Sequence, residues 1–328
     1  MPIPPDSFSS EAVKFRVMRG ADLPGADKLR RLAGWNQTLE DWQRLRSLEP
    51  AGCFVALHGQ TVVGTVTTTT YGTELAWIGM MLVHPEHRRK GIATQMMELA
   101  LGYLKTRGIQ CVKLDATPAG RPLYEKLGFA LDSNLTRHRR VAVDEHTTSS
   151  LPQPDPPGDK REIAPALEGF RGSDHECSSR RDLLVDPPRD LRPNDWPAVE
   201  DIDAAALGAR RSPLLCALAR DSLRALVWPP DGPISGWGLL RAGSTADYLG
   251  PVECLTDEAF TALSWLLVRS AATRNVIWDV PDDHLLARNT AQALGFAPVR
   301  PLTRMYWGAK ISPPAPQTLF AIAGPAVG

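Results

Sequence analysis

The chain of 328 residues carries no net charge at pH 7, since its 37 basic residues balance its 37 acidic ones, and 43% of its residues are hydrophobic. This length suggests about two domains with a sizeable core, and the neutral balance argues against a global field that attracts nucleic acid or an anionic membrane. The five cysteines are scattered without metal-ligand spacing, a pattern typical of a reducing compartment and of a protein that holds no metal.

The first half predicts alternating strands and helices. A short strand at 15–18 precedes a helix at 22–32 and a second helix that Thr38 N-caps and that ends at Leu48. Apolar and β-branched runs at 53–57, 61–70, 75–83 and 111–115 predict four further strands. A short helix at 122–127 and a last strand near 131–137 complete the order.

The stretch between the strand at 75–83 and the next helix is the most informative one. It is a short basic loop that contains Gly91, and the apolar residues from Ile92 to Leu104 follow with the spacing of one helix face. A strand, a tight loop and a helix start leave backbone N–H groups unpaired at the positive end of the helix dipole, which can hold a phosphate. The crossover from strand to helix to strand over 75–115 implies that the two strands are parallel.

Three short motifs in this half resemble one known family. They are Val83-x-Pro85, Arg88-x-x-Gly91-x-Ala93 and, after a helix and a strand, Leu123-Tyr124-x-x-x-Gly128-Phe129. Over roughly 15–140 this pattern resembles the GNAT superfamily of N-acetyltransferases. The resemblance implies an α/β fold with a mixed central sheet flanked by helices, acetyl-CoA as the co-substrate, and an amine as the acetyl acceptor.

The resemblance also implies which residues bind the coenzyme. The pyrophosphate loop comprises Arg88, Arg89, Lys90, Gly91, Ile92, Ala93 and Thr94, and the strand edge that pairs with pantetheine comprises Met81, Leu82 and Val83. Glycine and alanine let a phosphate approach the backbone, and the basic side chains add charge that also suits the adenosine 3′-phosphate. For the basic run taken by itself, the alternative is a solvated surface turn.

Tyr124 is the candidate catalytic residue. In the family, a tyrosine at this position lies near the thioester sulfur and donates a proton to the departing thiolate. The alternative is a helix aromatic that packs on Phe129. Many relatives carry an asparagine in the segment before this tyrosine; the segment 117–122 has none, and the backbone amide of Gly120 is a possible substitute.

The groups that would meet the acceptor are less defined by sequence. Glu74, Glu86 and Asp115 are possible bases for the amine, and no choice among them follows from the sequence; a turn or N-cap carboxylate is the alternative for Asp115. Trp35 and Asn36 lie between the first two helices, a region that lines the acceptor pocket in GNAT enzymes. Ordinary packing at a helix break is an equally good explanation of them.

The second half repeats the order of the first without its binding motifs. We predict a GNAT domain at 1–144, a Pro-rich linker at 145–190 and a degenerate GNAT-like domain at 191–328 that ends its last helix with Gly295-Phe296. Asp257 and Glu258 occupy the place of the phosphate loop, and Ala291 takes the place of the tyrosine. Two acids repel phosphate, so this domain is predicted to shape the acceptor pocket rather than to bind coenzyme A.

Two functions fit this sequence. The first is an acetyl-CoA-dependent N-acetyltransferase that acts on the primary amine of a small molecule, and the second is a GNAT-like protein that senses acyl-CoA or another ligand without turnover. The loop and Tyr124 favour the enzyme, while the acceptor and the oligomeric state stay open. No signal peptide is recognisable and no apolar run approaches the ~20 residues of a membrane span, so a cytoplasmic location without nucleic-acid or membrane partners is predicted.

Overall fold

A computed structural model describes residues 12–142, 187–271 and 274–328. In the first half, the strands are β1 (Lys14–Val17), β2 (Cys53–His58), β3 (Thr61–Tyr71), β4 (Leu75–Val83), β5 (Cys111–Ala116) and β6 (Ala130–Arg140). The helices are α1 (Leu23–Leu32), α2 (Leu39–Leu48), α3 (Ile92–Thr106) and α4 (Arg121–Lys126).

The second half has the same succession of elements. Its strands are β7 (Arg189–Asp190), β8 (Ser222–Trp228), β9 (Gly236–Arg241), β10 (Asp247–Cys254), β11 (Val276–Pro281), β12 (Ala297–Gly308) and β13 (Leu319–Ala321). Its helices are α5 (Trp196–Leu207), α6 (Ser212–Arg220), α7 (Asp257–Ser270) and α8 (Leu285–Ala293). The predicted linker lies outside the described residues as far as 186, and its last two residues form β7.

The strands of the described residues form one continuous mixed sheet. Its order is β1-β2-β3-β4-β5-β12-β6-β11-β10-β9-β8-β7, and β13 pairs with β10 off this path. Corresponding strands of the two halves lie equally far from the centre, so a pseudo-two-fold axis passes between β12 and β6. The long closing strand of each half lies within the other half, because β12 pairs with β5 and β6 pairs with β11.

Helices cover both faces of this sheet. On one face, α3 and α4 bury Val112 and Leu114 of β5 together with Met305 of β12. On the other face, α1, α2, α5 and α6 enclose a core that spans both halves and fully buries Trp42 and Trp77. Burial of apolar area is favourable, so this shared core stabilises the contact between the two halves on this face of the sheet.

The local predictions for these elements agree with the structure. Thr38 N-caps α2 by accepting a hydrogen bond from the N–H of Asp41 at 3.4 Å, and Thr256 caps α7 in the same way. The parallel pairing of β4 and β5 is confirmed. The predicted last strand is β6, but its exchange with β12 was not predicted. None of the helices described here combines the length and the apolarity that a membrane crossing requires.

Candidate active site

The site is organised by two parallel strands that diverge. β4 and β5 pair only from Leu75 to Trp77, although β4 continues to Val83. Beyond Trp77, no described strand pairs with β4 on the β5 side, so its backbone groups can bond an extended ligand. This open edge contains Met81, Leu82 and Val83, the segment predicted to meet pantetheine.

A β-bulge begins the open edge. The register of β3 against β4 shifts between Thr65 and Thr67, and Met80 adopts a φ of 49°. A positive φ is strained for a residue with a Cβ, and the Thr65 hydroxyl supports it by donating a hydrogen bond of 2.8 Å to the Met80 carbonyl. The bulge therefore bends β4 where it separates from β5.

The basic loop connects the open edge to α3. Arg89 and Gly91 have φ values of 61° and 77°, a conformation in which successive backbone N–H groups can converge on an anion. Gly91 is the N-cap of α3 and offers no side-chain cap, so the N–H groups of the first turn have no acceptor within the helix. With the helix dipole and the exposed side chains of Arg88, Arg89 and Lys90, these groups can hold a diphosphate.

Tyr124 lies on α4 at the wall of the same cleft. Its side chain is 9% exposed, and its ring packs edge-on against Phe129 with 5.9 Å between centroids. The hydroxyl lies beside Gly120, and no described group forms a hydrogen bond with it. Burial raises the pKa of Tyr124 to about 12, so the hydroxyl keeps its proton at neutral pH. The packing on Phe129 and a role as proton donor are thus compatible.

The open edge, the basic loop and Tyr124 line one cleft of about 1030 Å³. The second half completes its wall with Arg300, Leu302, Pro325 and Ala326. The last two are held over β4, because the Trp77 indole donates a hydrogen bond of 3.1 Å to the Pro325 carbonyl. Ala326 also lies so close to Gly79 that a Cβ there would be 2.5 Å from the Ala326 carbonyl oxygen. Both halves therefore build the cleft.

Similarity to known proteins identifies the family. Residues 25–129 match the acetyltransferase (GNAT) family, and residues 199–321 match an acetyltransferase (GNAT) domain. The chain belongs to the GNAT family. It is a tandem member and an acyltransferase, as the sequence predicts, and acetyl-CoA is the typical donor of GNAT enzymes. The predicted α/β class with two GNAT-like domains is confirmed.

Individual GNAT proteins resemble the chain over both halves. The uncharacterized N-acetyltransferase YitH of Bacillus subtilis is 23% identical over 80% of each chain. A putative acetyltransferase from Pyrococcus horikoshii has a TM-score of 0.73 at 20% identity, over 98% of this chain and 97% of that one. A tandem GNAT protein from the clavulanic acid biosynthesis pathway has a TM-score of 0.59 at 16% identity, over 92% of this chain and 100% of that one.

Asp115 lines the GNAT cleft but is not a free carboxylate. It lies on β5, fully buried, and accepts hydrogen bonds of 2.8 and 3.0 Å from the Arg304 guanidinium of β12. Burial raises the pKa of Asp115, and the guanidinium opposes that rise. It is therefore half of a cross-strand ion pair rather than a turn or N-cap carboxylate. Glu74 and Glu86 are exposed and lie outside the cleft.

The two residues predicted for the acceptor pocket have different positions. Trp35 is half-buried and lines the cleft. Asn36 is buried and contacts the second half instead: its amide donates to the Ala246 carbonyl at 2.9 Å and accepts from the N–H groups of Thr245 and Ala246 at 3.0 Å. The structure thus places Trp35 beside the ligand space and Asn36 at the contact between the halves.

Gln37 follows Trp35 and Asn36 in the segment that the sequence assigns to the acceptor pocket; it lines the cleft and has a buried Oε1 without a hydrogen-bond partner among the described residues. Sequence reasoning missed two further residues of the cleft. Arg137 of β6 and Arg300 of β12 line it as well. No local motif marks these positions, because the exchange of strands brings them to the cleft. Their place in the cleft can be inferred only once the pairing of β6 with β12 is known.

The corresponding cleft of the second half is closed. β10 and β11 pair in parallel from Asp247 to Leu249 and then diverge, as β4 and β5 do. Here β13 fills the opening by pairing with Val252 and Glu253 of β10. Phe320 of β13 stacks on Phe260 of α7 with 4.0 Å between centroids. A segment of the chain itself thus occupies in the second half the place that stays open beside β4 in the first half.

Proposed function

We propose that the protein transfers the acetyl group of acetyl-CoA to the primary amine of a small molecule. The observation that carries this proposal is that one cleft contains the open edge of β4, the loop at 88–94 and the hydroxyl of Tyr124. A protein that only senses acyl-CoA needs the first two features. It has no use for an unpaired hydroxyl at the third position, so the enzyme is favoured over the sensor.

The residues of the cleft fit acetyl-CoA. The backbone of Met81, Leu82 and Val83 offers hydrogen bonds to an extended chain with amide groups, and the start of α3 suits a diphosphate. Space at Gly91 supports this fit, since an added Cβ would meet only the Gln95 side chain, at 3.8 Å. Bound acetyl-CoA supplies the acetyl group as a thioester.

Tyr124 serves as the general acid in this proposal. The amine attacks the acetyl carbonyl, and its nitrogen loses a proton to water as the amide forms. When the C–S bond breaks, the electron pair goes to sulfur, and the Tyr124 hydroxyl donates its proton there and is afterwards reprotonated from solvent. A pKa of about 12 keeps this proton in place until sulfur becomes basic. The thiol is a fair leaving group, so Tyr124 accelerates the transfer without being indispensable to it.

The amine must lose its proton before it attacks. Among the described residues that line the cleft, Asp115 is the one carboxylate, and Arg304 holds it in a bidentate ion pair. Both oxygens of this carboxylate already accept a charge-assisted hydrogen bond from Arg304, so neither is free to take a proton from the amine. We therefore assign the deprotonation to water, with the free fraction of the amine setting the rate.

A small acceptor is supported by the wall that the second half supplies. Tyr71 and Trp77 fix the chain end over β4 through hydrogen bonds to the carbonyls of Val327 and Pro325, at 2.7 and 3.1 Å. This fixed wall narrows the space that the cleft offers to an acceptor beside β4.

Thiol release from acetyl-CoA tests the proposal. The protein is mixed with acetyl-CoA and a panel of small primary amines, amino acids and short peptides, and products are identified by mass spectrometry. We expect an N-acetylated product from at least one small amine. Acetyl-CoA binding by calorimetry without any acetylated product would instead favour the sensor.

A further inference from the structure

The charges around the cleft are nearly all accounted for. Asp115 is paired with Arg304, and Arg137 donates hydrogen bonds of 2.7 and 2.6 Å to Asp279. Each of these pairs is neutral as a unit. Because their guanidinium groups already bind carboxylates, neither arginine has a full charge left for a ligand.

Arg300 is different, because its charge is not balanced. It forms no hydrogen bond or ion pair with any residue that the structure describes, and its Nε is buried. Its cross-strand neighbour on β6 is another arginine, Arg137. Burial lowers the pKa of Arg300; the Arg137 charge lowers it further, and Asp279 opposes this.

The position of Arg300 separates it from the phosphate end of the cleft. The diphosphate of acetyl-CoA would be held by the N-terminus of α3 and the basic loop, both of which belong to the first half. Arg300 and Leu302 are supplied by β12, on the wall that they share with Pro325 and Ala326 of the chain end. β12 pairs with β6 in regular register from Arg300 to Arg304, so alternate residues of β12 lie on the same face of the sheet. Arg300 and Leu302 therefore lie on the face where Arg304 contacts Asp115.

We propose that the acceptor amine carries an anionic group and that Arg300 binds this group. The inference rests on the proposed function and names its substrate class: a small amine bearing a carboxylate, such as an amino acid, rather than a polycation. A carboxylate opposite Arg300 gains two charge-assisted hydrogen bonds and supplies the partner that this half-buried guanidinium lacks among the described residues. A polycationic amine would add like charge to a poorly solvated site.

Gln37 provides a second contact for such an acceptor. Its Oε1 is buried on the wall of the first half and has no partner in the described parts of the chain. An amine or ammonium N–H can donate to it. Arg300 and Gln37 together thus offer one site for an anion and one for an amine, the two groups that an amino acid carries.

Matched acceptors test the inference through the ratio of kcat/KM for the anionic member of a pair to kcat/KM for its neutral partner. Thiol release is compared for leucine and isoamylamine, for phenylalanine and phenethylamine, and for phosphoethanolamine and ethanolamine, which distinguishes a carboxylate from a phosphate. In the wild type, we expect the carboxylate member of a pair to have the higher kcat/KM. Arg300→Met should reduce kcat/KM for the carboxylate member roughly 100-fold more than for its neutral partner.

Two further variants separate a specific contact from general charge. Arg139→Met removes one positive charge from an exposed position of β6 that does not line the cleft, so the ratio for this variant should equal that of the wild type. Arg300→Lys keeps the charge but loses the planar fork, and should recover part of the ratio. An Arg300→Met ratio equal to that of the wild type, or a wild type that prefers neutral or polycationic amines, would overturn the inference.

Binding of products keeps the inference testable if no acceptor in the panel is acetylated. N-acetyl-leucine and N-isoamylacetamide are titrated by calorimetry into protein saturated with coenzyme A. Tighter binding of the carboxylate, lost in Arg300→Met, supports the inference even if turnover fails and the proposed function is wrong. Equal binding of both products, or no binding of either, overturns it.

Discussion

The two halves of the sheet share their supporting contacts but not their ligand-binding parts. In the first half, Arg16 of β1 donates hydrogen bonds of 2.6 and 2.8 Å to Asp22. In the second half, Arg189 of β7 does the same to Asp195 at 2.7 and 2.8 Å. A contact that persists in a half without a coenzyme loop supports the fold rather than catalysis.

The ion pairs across the exchanged strands are repeated in the same way. Asp115 and Arg304 join β5 to β12, and Asp279 and Arg137 join β11 to β6. Both carboxylates are fully buried. A slip in the register of either exchanged strand would leave the two buried charges of its pair without partners, so these pairs favour one alignment of each strand.

The differences lie where the coenzyme would bind. α3 starts at Gly91, with free N–H groups, whereas Thr256 caps α7 and Asp257 and Glu258 follow it. The edge that is open in β4 is filled by β13 in β10. Ala291, fully buried, replaces Tyr124. A duplicated fold can therefore keep its architecture while local changes at one helix start, one strand edge and one side chain remove a site.

The largest effect is expected when the start of α3 is given the acid that stands at the start of α7. Ala93→Glu gives α3 the acid that Glu258 gives α7, at the second helical position of each. The acid suits the helix dipole but repels phosphate, so we expect the Kd for acetyl-CoA to rise at least ~1000-fold without a loss of stability. Calorimetry measures this, and Glu258→Ala is the matched control, which should leave one site per chain.

Retained binding in Ala93→Glu would remove the loop from the site. A second site per chain in the wild type or in Glu258→Ala would show that β13 does not close the second half.

The next effect compares the two buried ion pairs. Asp279→Asn leaves the buried Arg137 charge without a carboxylate, and it leaves one acceptor oxygen where Arg137 and the Tyr248 hydroxyl now share two, so we expect a loss of about 4 kcal/mol in the free energy of unfolding. Asp115→Asn should cost less, because Arg304 keeps its place over the Trp77 ring, 4.6 Å from the centroid. Denaturant unfolding of both variants measures the difference. An equal or reversed order would contradict this account.

A smaller effect concerns Tyr124. Tyr124→Phe should lower kcat about 10- to 100-fold and leave the Kd for acetyl-CoA within about twofold. With a pKa of about 12, Tyr124 stays protonated to about pH 10, so the rate should rise with pH as the amine deprotonates, without an alkaline fall in that range. Steady-state kinetics against pH measure both, and Tyr306→Phe, outside the cleft, is the control. Unchanged turnover in Tyr124→Phe would exclude the general acid.

The smallest effect should be equal in the two halves. Hydrogen bonds from Arg16 and Arg189 lower the pKa of Asp22 and Asp195. A carboxyl whose pKa is lowered by folding stabilises the fold above its unfolded pKa, and this stability is lost as pH falls through the folded value. Asp22→Asn and Asp195→Asn should each cost about 1 kcal/mol at pH 7 and flatten the acid decline below about pH 4. Unfolding titrations against pH would show unequal losses if only one contact supports the fold.

Local features of the molecule could be predicted from sequence because they depend on neighbours in the chain. Gly91 and the apolar spacing after it predict the loop and the helix, and Thr256 with its two acids predicts the capped start of α7. The roles given to Tyr124 and to the loop stay predictions that the variants above test.

The rest depends on pairing between distant segments. Arg304 and Asp115 are 189 residues apart, and nothing in either strand specifies the other as its partner. Arg300 therefore gave no signal of its own in the sequence. For Asn36 the sequence left a ligand contact and ordinary packing equally open, and only the structure shows that the side chain binds the Ala246 segment of the second half.

The exchange of β6 and β12 imposes an order on assembly during synthesis. When the first half leaves the ribosome, β5 and β6 have no strand between them, because that place belongs to residues 297–308. The wall that carries Arg300 is thus made only after the whole of the first half. A chain interrupted after the first half would have the coenzyme loop but lack the surface on which we expect the acceptor to bind.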